Sequence, residues 1–141
     1  MSADRHFFDT NILVYTFDRR EPEKAHRATV LVHSALQTGQ GIISYQVVQE
    51  FVAVARKPFR IAMTFDEIQK FWEKTLRPMT QVHSSPALFM RAFEICRVNQ
   101  TSWCDSLIIA AAIQARCKIL YSEDFQHGSQ FGDLVVENPF R

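Results

Sequence analysis

Hydrophobic positions follow two patterns along the chain: short apolar runs and longer segments with helical spacing. The runs predict strands at His6–Phe8, Ile42–Ile43, Met79–Val82, Lys118–Tyr121 and Leu134–Glu137. Between these runs, apolar residues recur every three or four positions, which is the spacing of one face of a helix. Short strands separated by helices are typical of a parallel sheet with helices packed on both faces, so the sequence predicts the α/β class.

Start and stop signals bound the predicted helices. Pro22 lies near the first turn of a helix that runs to about Thr38, a place where proline is tolerated. A second helix is expected from Ser44 through Ala55. Three more begin at capping signals: Thr64-Phe-Asp-Glu67 (reaching Leu76), Ser85-Pro86 and Ser102-Trp-Cys-Asp105. The last is apolar all round from Leu107 to Ile113, which is typical of a buried helix.

Composition narrows the class of protein. The 141 residues are 47% hydrophobic and include 12 phenylalanines, which favours one folded domain over 1–141 and excludes intrinsic disorder. A net charge of +1 gives no gross preference for nucleic acid or membrane. The sequence has neither a Gly-rich phosphate loop nor an apolar run near the roughly 20 residues that span a bilayer. Because a secretory signal is also absent from the N-terminus, we expect a cytoplasmic protein without membrane contact.

Four acidic residues occupy positions where the fold class places ligands or core. Asp9 directly follows the first strand, and Asp124 lies three residues after the Lys118–Tyr121 strand. Asp105 lies in the first turn of the most apolar helix, and Glu50 lies among valines and Phe51 in its own helix. Each acid alone has an ordinary explanation as a cap, a turn or a solvated charge. Together they converge on the carboxyl ends of the strands, where open α/β sheets bind ligands.

Such a group of carboxylates favours a hard cation. Unpaired carboxylates within about 4–6 Å repel one another and raise each other's pKa, so a cluster is costly unless a cation neutralises it. Oxygen ligands without histidine or cysteine suit Mg²⁺ or Mn²⁺ rather than zinc. A magnesium site that keeps several waters serves phosphoryl chemistry.

Several ordered motifs together resemble those of PIN-domain ribonucleases. They are Phe8-Asp9-Thr10-Asn11, Gln49-Glu50-Phe51, Asp105-Ser-Leu-Ile-Ile-Ala-Ala, Tyr121-Ser-Glu-Asp124-Phe and Asn138-Pro139-Phe140. Within that family the chain looks most like the stand-alone VapC-type toxins of bacterial toxin–antitoxin pairs. The resemblance runs from residue 7 to residue 140, and it implies a three-layer α/β/α PIN-like domain with a short central parallel sheet.

The resemblance also implies a reaction and its residues. The metal-binding and catalytic carboxylates would be Asp9, Glu50, Asp105 and Asp124. Asn11 would support Asp9, Ser122 would do the same near Asp124, and Glu123 has no fixed role. The family reaction is hydrolysis of an RNA phosphodiester by a water that Mg²⁺ or Mn²⁺ activates, with tRNA or a ribosomal RNA loop as the expected substrate. Expected partners are an antitoxin that blocks the acidic pocket and a second copy in a homodimer.

Basic and aromatic residues provide candidates for RNA contacts. Without the four acids the chain has 16 basic against 11 acidic residues, a balance of +5 that suits an RNA substrate. Five basic residues are expected to touch flanking phosphates: Arg19, Arg20, Arg56, Lys57 and Arg60. Tyr15, Phe17 and Tyr45 could stack on unpaired bases, although core packing is the more ordinary use. Both tryptophans, Trp72 and Trp103, are predicted to lie in the core.

Other classes of protein remain as alternatives. A haloacid-dehalogenase-like phosphatase needs a second Asp two residues after the first, where this chain has Asn11. A phospho-receiver domain needs a Lys at a late strand end, where this chain has Glu123 and Asp124. A non-catalytic RNA-binding module and a housekeeping RNA-processing nuclease both stay open.

Overall fold

Strands and helices alternate along most of the chain in the computed structural model, which describes residues 4–141. The strands are β1 (His6–Phe8), β2 (Gly41–Ser44), β3 (Thr80–Val82), β4 (Ile119–Tyr121), β5 (Gln130–Phe131) and β6 (Leu134–Glu137). The helices are α1 (Thr10–Tyr15), α2 (Pro22–Thr38), α3 (Tyr45–Ala55), α4 (Phe65–Phe71), α5 (Arg77–Met79), α6 (Pro86–Asn99) and α7 (Trp103–Gln114). All five predicted strands and the predicted helices are confirmed, whereas α1 and β5 were not predicted.

The strands form one sheet in the order β3-β2-β1-β4-β6-β5, with flanking helices. Every neighbouring pair is parallel except β5 and β6, which are antiparallel. From β1 the chain builds outward through β2 and β3, and then crosses to the other side of β1 to continue with β4. The order therefore reverses between β1 and β4, and a crevice opens at such a switch point, beyond the carboxyl ends of the strands. The predicted α/β class is confirmed.

Two glycines allow α2 and β2 to pack closely. Gly39 ends α2 in the left-handed region at φ 73°, which a residue with a side chain adopts only with strain. Gly41 begins β2, and a Cβ there would lie 2.5 Å from the Cβ of Ala35 in α2. Only glycine therefore fits at this contact between helix and strand.

The capping box predicted at Thr64 is confirmed, but the helix it opens changes its winding. The Thr64 amide donates to Glu67 Oε1 at 2.8 Å, and the Glu67 amide donates to Thr64 Oγ1 at 3.2 Å. After α4 the chain continues through a π-helical turn, Trp72–Leu76, before α5. The predicted end at Leu76 thus matches the end of the π turn.

Apolar side chains fill the space between the sheet and its helices. Phe7 and Phe8 from β1 and Phe51 from α3 are fully buried. In α7 the run Ile108–Ala112 is buried, as the sequence predicts. The prediction that both tryptophans are core residues is wrong, because Trp72 is 37% exposed and Trp103 is 38% exposed. Within residues 4–141, no helix is long and apolar enough to cross a bilayer.

Candidate active site

One cleft of about 280 Å³ brings together the four predicted acids. Asp9 follows β1, Glu50 lies in α3, Asp105 lies in α7, and Asp124 lies in the loop after β4. We call this the acid cleft and define it by those four residues. It opens at the carboxyl ends of β1 and β4, where the strand order reverses, and this is the ligand position expected of an open α/β sheet.

Asp9 is the most buried of the four acids. It is the N-cap of α1, and its Oδ1 accepts from the Thr10 amide at 2.8 Å, so the cap explains why a helix begins directly after β1. Its Oδ2 accepts from the hydroxyl of Ser122 at 2.8 Å. Burial raises the pKa of Asp9 to about 6, with smaller contributions from the charges of Asp124 and Glu50 and opposition from the two hydrogen bonds. The fold therefore holds a carboxyl group that loses its proton only near neutral pH.

Asp124 is held by Asn11 at the more open end of the cleft. The Asn11 amide nitrogen lies 3.0 Å from Oδ2 and 3.3 Å from Oδ1 of Asp124. Burial raises the pKa of Asp124, the charges of Asp105 and Glu123 add to this, and the hydrogen bond from Asn11 opposes it. Asn11 was expected to support Asp9, so the contact to Asp124 corrects that pairing. Asn11 is the second residue of α1, and its side chain faces the loop after β4, where Asp124 lies.

Ser122 links the two acids at the switch point. It is fully buried, it donates to Asp9, and its oxygen accepts from the Asp124 amide at 3.1 Å. The sequence placed Ser122 near Asp124, and the structure adds the hydroxyl contact with Asp9. One hydroxyl therefore fixes a carboxylate after β1 and the backbone of the loop after β4.

Thr10 is a site residue that the sequence reasoning missed. Its hydroxyl donates to Glu50 Oε1 at 2.8 Å and so ties the start of α1 to α3. The signal available in the sequence was a hydroxyl side chain directly after Asp9, but its partner lies 40 residues away. Asp105 is positioned differently, because its amide donates to the Ser102 cap of α7 at 3.1 Å.

Glu123 is engaged by other residues and does not line the acid cleft. Lys24 Nζ donates to its Oε2 at 2.6 Å, and the Tyr15 hydroxyl donates to its Oε1 at 2.5 Å. Burial opposes ionisation of Glu123, but these two contacts outweigh burial and lower its pKa. The ring of Tyr15 packs edge-on against Phe140 at 5.0 Å. Tyr15 is thus used in packing, and Glu123 anchors the loop that carries Asp124.

The five candidate RNA-contacting residues fall into two surface groups. Arg19, Arg20 and Arg60 line one cleft, whereas Arg56 and Lys57 line another. Arg20 forms an ion pair with the buried Asp18, at 3.1 Å from Nε to Oδ1. The hydrogen bonds that Arg20 donates to Asp18 lower the pKa of this carboxyl group. The guanidinium of Arg56 lies 5.6 Å from the ring centre of Phe65. Of the aromatic candidates, Phe17 packs against Phe51 and Phe71, whereas Tyr45 is 37% exposed.

The acid cleft has the donor chemistry of a divalent-cation site, but its carboxylates are spread apart. In the part of the chain from Asp4 to Arg141, no three His, Cys, Asp or Glu side chains stand close enough to hold a metal ion. Three of the four acids are instead engaged by neighbouring side chains: Asp9 by Ser122, Glu50 by Thr10 and Asp124 by Asn11. The donors are carboxylate oxygens, which fit Mg²⁺ or Mn²⁺.

If the acid cleft binds Mn²⁺, as the resemblance to PIN-domain ribonucleases implies, Ser122→Ala is expected to weaken that binding about 10- to 100-fold, the usual cost of losing a residue that orients a metal ligand. The variant leaves an Asp9 oxygen and the Asp124 amide without their partner. Isothermal titration of the metal-free protein with Mn²⁺ measures this effect. Ser44→Ala is the matched control, because Ser44 is a buried serine at the end of β2 whose hydroxyl has no hydrogen-bond partner within residues 4–141. Equal affinities in the two variants would contradict the role given to Ser122.

Comparison with known proteins places this chain in a family. A sequence model of the PIN domain matches residues 6–128. The chain therefore belongs to the PIN domain family. No curated protein matches the sequence significantly.

Solved structures of bacterial toxin–antitoxin systems share the fold. A toxin–antitoxin complex from Klebsiella pneumoniae is 22% identical, with a TM-score of 0.67 over 95% of this chain and 97% of that one. VapBC2 from Rickettsia felis, bound to a promoter DNA fragment, is 17% identical, with a TM-score of 0.60 over 94% of this chain and 96% of that one. VapC20 from Mycobacterium tuberculosis, described as a sarcin–ricin loop cleaving toxin, is 15% identical, with a TM-score of 0.58 over 84% of this chain and 89% of that one. At these identities the likeness concerns the fold.

Proposed function

We propose that this protein is a divalent-metal-dependent endoribonuclease and the toxin of a toxin–antitoxin pair. The observation that carries the proposal is the acid cleft: four carboxylates from four separate segments face one crevice at the switch point of the sheet. Burial of Asp9 raises its pKa to about 6, and the charges of Asp124 and Glu50 add to the cost of ionising it. A cation drawn to these carboxylates would offset that cost.

The proposed ligands of Mg²⁺ or Mn²⁺ are the four acids of the acid cleft. The chemistry that such a cation supplies when bound is neutralisation of charge on a phosphate and activation of water for attack on phosphorus. Ser122 and the Thr10 amide hold the Asp9 carboxylate, and Asn11 holds that of Asp124. The Thr10 hydroxyl orients Glu50. These contacts fix the ligand directions before a substrate arrives, which lowers the reorganisation needed for reaction.

The substrate and partner assignments rest on the family and on surface charge. RNA is proposed because basic residues lie in two clefts of the surface, Arg19 and Arg60 in one and Arg56 and Lys57 in the other, where they could contact flanking phosphates. Solved toxin–antitoxin complexes share this fold, and one neighbour is described as cleaving the sarcin–ricin loop. We therefore propose a cognate antitoxin as partner, a homodimer as the assembly, a single domain over 1–141, and action in the cytoplasm.

Cleavage of total RNA by the purified protein tests the proposal. Incubation with Mg²⁺ or Mn²⁺ is expected to give discrete fragments, and EDTA is expected to abolish them. Mapping the fragment ends identifies the target. The toxin role predicts that a small protein encoded beside this gene binds the chain and suppresses cleavage. No cleavage of total RNA or of ribosomal RNA by folded, metal-loaded and antitoxin-free protein would refute the nuclease assignment.

A further inference from the structure

A second cleft adjoins the acid cleft in the same groove. Its volume is about 370 Å³, within the range of small-molecule sites. We call it the aromatic cleft and define it by the side chains that characterise it: Tyr45, Gln46, Gln49, Phe89 and Trp103. Glu50 and Cys104 line both clefts, so the two are continuous.

The continuity follows from the two helices that line the groove. In α3, Gln46, Gln49 and Glu50 share one face, because residues three and four apart are neighbours on a helix. In α7, Trp103, Cys104 and Asp105 are successive residues of the first turn, and they lead from the aromatic cleft to the acid cleft. An RNA strand with a phosphate at Asp105 would therefore place a neighbouring nucleotide within reach of Trp103.

Trp103 is fixed in place and yet exposed. Phe93 lies 4.6 Å from it and Phe89 lies 6.0 Å from it, measured between ring centres. The exposed fractions are 38% for Trp103, 41% for Phe89 and 54% for Phe93. Rings held by neighbouring rings lose little entropy when they bind, and unpaired bases stack on such rings.

Two glutamine side chains, Gln46 and Gln49, line the aromatic cleft beside the rings. The Gln49 side chain is exposed and makes no hydrogen bond within residues 4–141, while Gln46 uses its amide nitrogen on the Cys104 carbonyl at 3.2 Å. A free glutamine amide offers one donor group and one acceptor to the edge of a base. The cleft thus combines a stacking face with hydrogen-bonding groups, which is the chemistry of nucleobase recognition.

We propose that the aromatic cleft binds an unpaired nucleobase of the RNA, next to the phosphate held at the acid cleft, with Trp103 as the stacking residue. This inference rests on the proposed nuclease function and names a subsite of it. A second copy of the chain is the other possible occupant of exposed rings. The observations favour the base, because a copy seated here would also cover Glu50 and Cys104 at the border of the acid cleft.

Binding of a short single-stranded RNA to an Asp9→Asn background tests the proposal, since that variant is expected to bind RNA without cutting it. Fluorescence anisotropy in Mg²⁺ gives the Kd. Trp103→Ala is expected to raise the Kd at least about fivefold, the lower limit for removing a base-stacking ring. Trp103→Phe keeps a ring and should stay within about threefold of the background, because phenylalanine also stacks on bases. Binding of a fully paired RNA duplex should not change in either variant.

Val135→Ala is the control for loss of exposed apolar surface, because Val135 in β6 has the same exposure as Trp103, 38%, and lies in neither the acid cleft nor the aromatic cleft. Its Kd should equal that of the background. An unchanged Kd in Trp103→Ala overturns the subsite, as does a weakening that merely follows the loss of a dimer in sedimentation. If the background chain binds no RNA and the parent chain cleaves none, the nuclease proposal itself fails, which is a separate result.

Discussion

Asp9→Asn is expected to reduce metal-dependent RNA cleavage by at least about 100-fold, since losing a residue that only orients a ligand already costs 10- to 100-fold. Asn keeps the shape of the side chain and remains a favoured N-cap, so α1 should still begin at Thr10. What is lost is the negative charge at the switch point of the sheet. Cleavage rates of a mapped RNA substrate in Mg²⁺ or Mn²⁺ measure the effect.

Asp133→Asn is the matched control for charge removal. Asp133 is exposed in the turn between β5 and β6 and lies outside the acid cleft. Its rate is expected to equal that of the parent protein. Retention of more than about a tenth of the activity in Asp9→Asn would contradict a ligand role, because that loss is smaller than the loss of a supporting residue.

The contribution of Asp9 to the stability of the metal-free protein is expected to fall by about 2–3 kcal/mol between pH 4 and pH 7. Its pKa is about 6 in the folded chain against 3.8 for the unperturbed group. Between these values the folded state holds a proton that the unfolded state has released. The contribution is therefore fully present below pH 3.8 and is lost as the pH rises through 6.

Comparison with Asp9→Asn isolates this effect. Groups whose pKa is lowered in the fold, such as Asp18 and Glu123, act in the opposite direction, but both proteins contain them. Urea unfolding in EDTA at several pH values should show equal stabilities near pH 4, and the variant should be more stable by about 2–3 kcal/mol at pH 7. Saturating Mn²⁺ should raise the free energy of unfolding of the parent protein relative to that of the variant. Parallel stability curves in EDTA would show that Asp9 ionises normally.

Together these experiments describe a trade between stability and function. Ionised Asp9 in the acid cleft lowers the stability of the metal-free protein near pH 7. A bound cation would offset that loss of stability. A functional site often breaks a rule of stability in this way. Two measurements on Asp9→Asn separate these effects, because the cleavage rate reports the chemistry and urea unfolding reports the free energy of folding.

Much of the architecture could be predicted from local patterns. Strands such as Ile119–Tyr121 and helices such as Pro22–Thr38 carry their own apolar patterns and end signals. The short α1 was missed because it has no repeated apolar period, and it forms through the Asp9 cap. The strand β5 was missed because two residues carry no pattern, and it exists by pairing with β6.

The sequence by itself determined the α/β class, the order of elements and the four candidate acids, because these depend on residue type and local spacing. Only the tertiary structure decided which groups meet. It paired Asn11 with Asp124, bridged Asp9 and the β4 loop through Ser122, and left Trp103 exposed beside the acid cleft. The Asn11–Asp124 and Asp9–Ser122 contacts join residues 113 positions apart, and they follow from the strand order, which sets β1 beside β4. No local pattern encodes such distances, since a side chain's partner is set by where the sheet brings it.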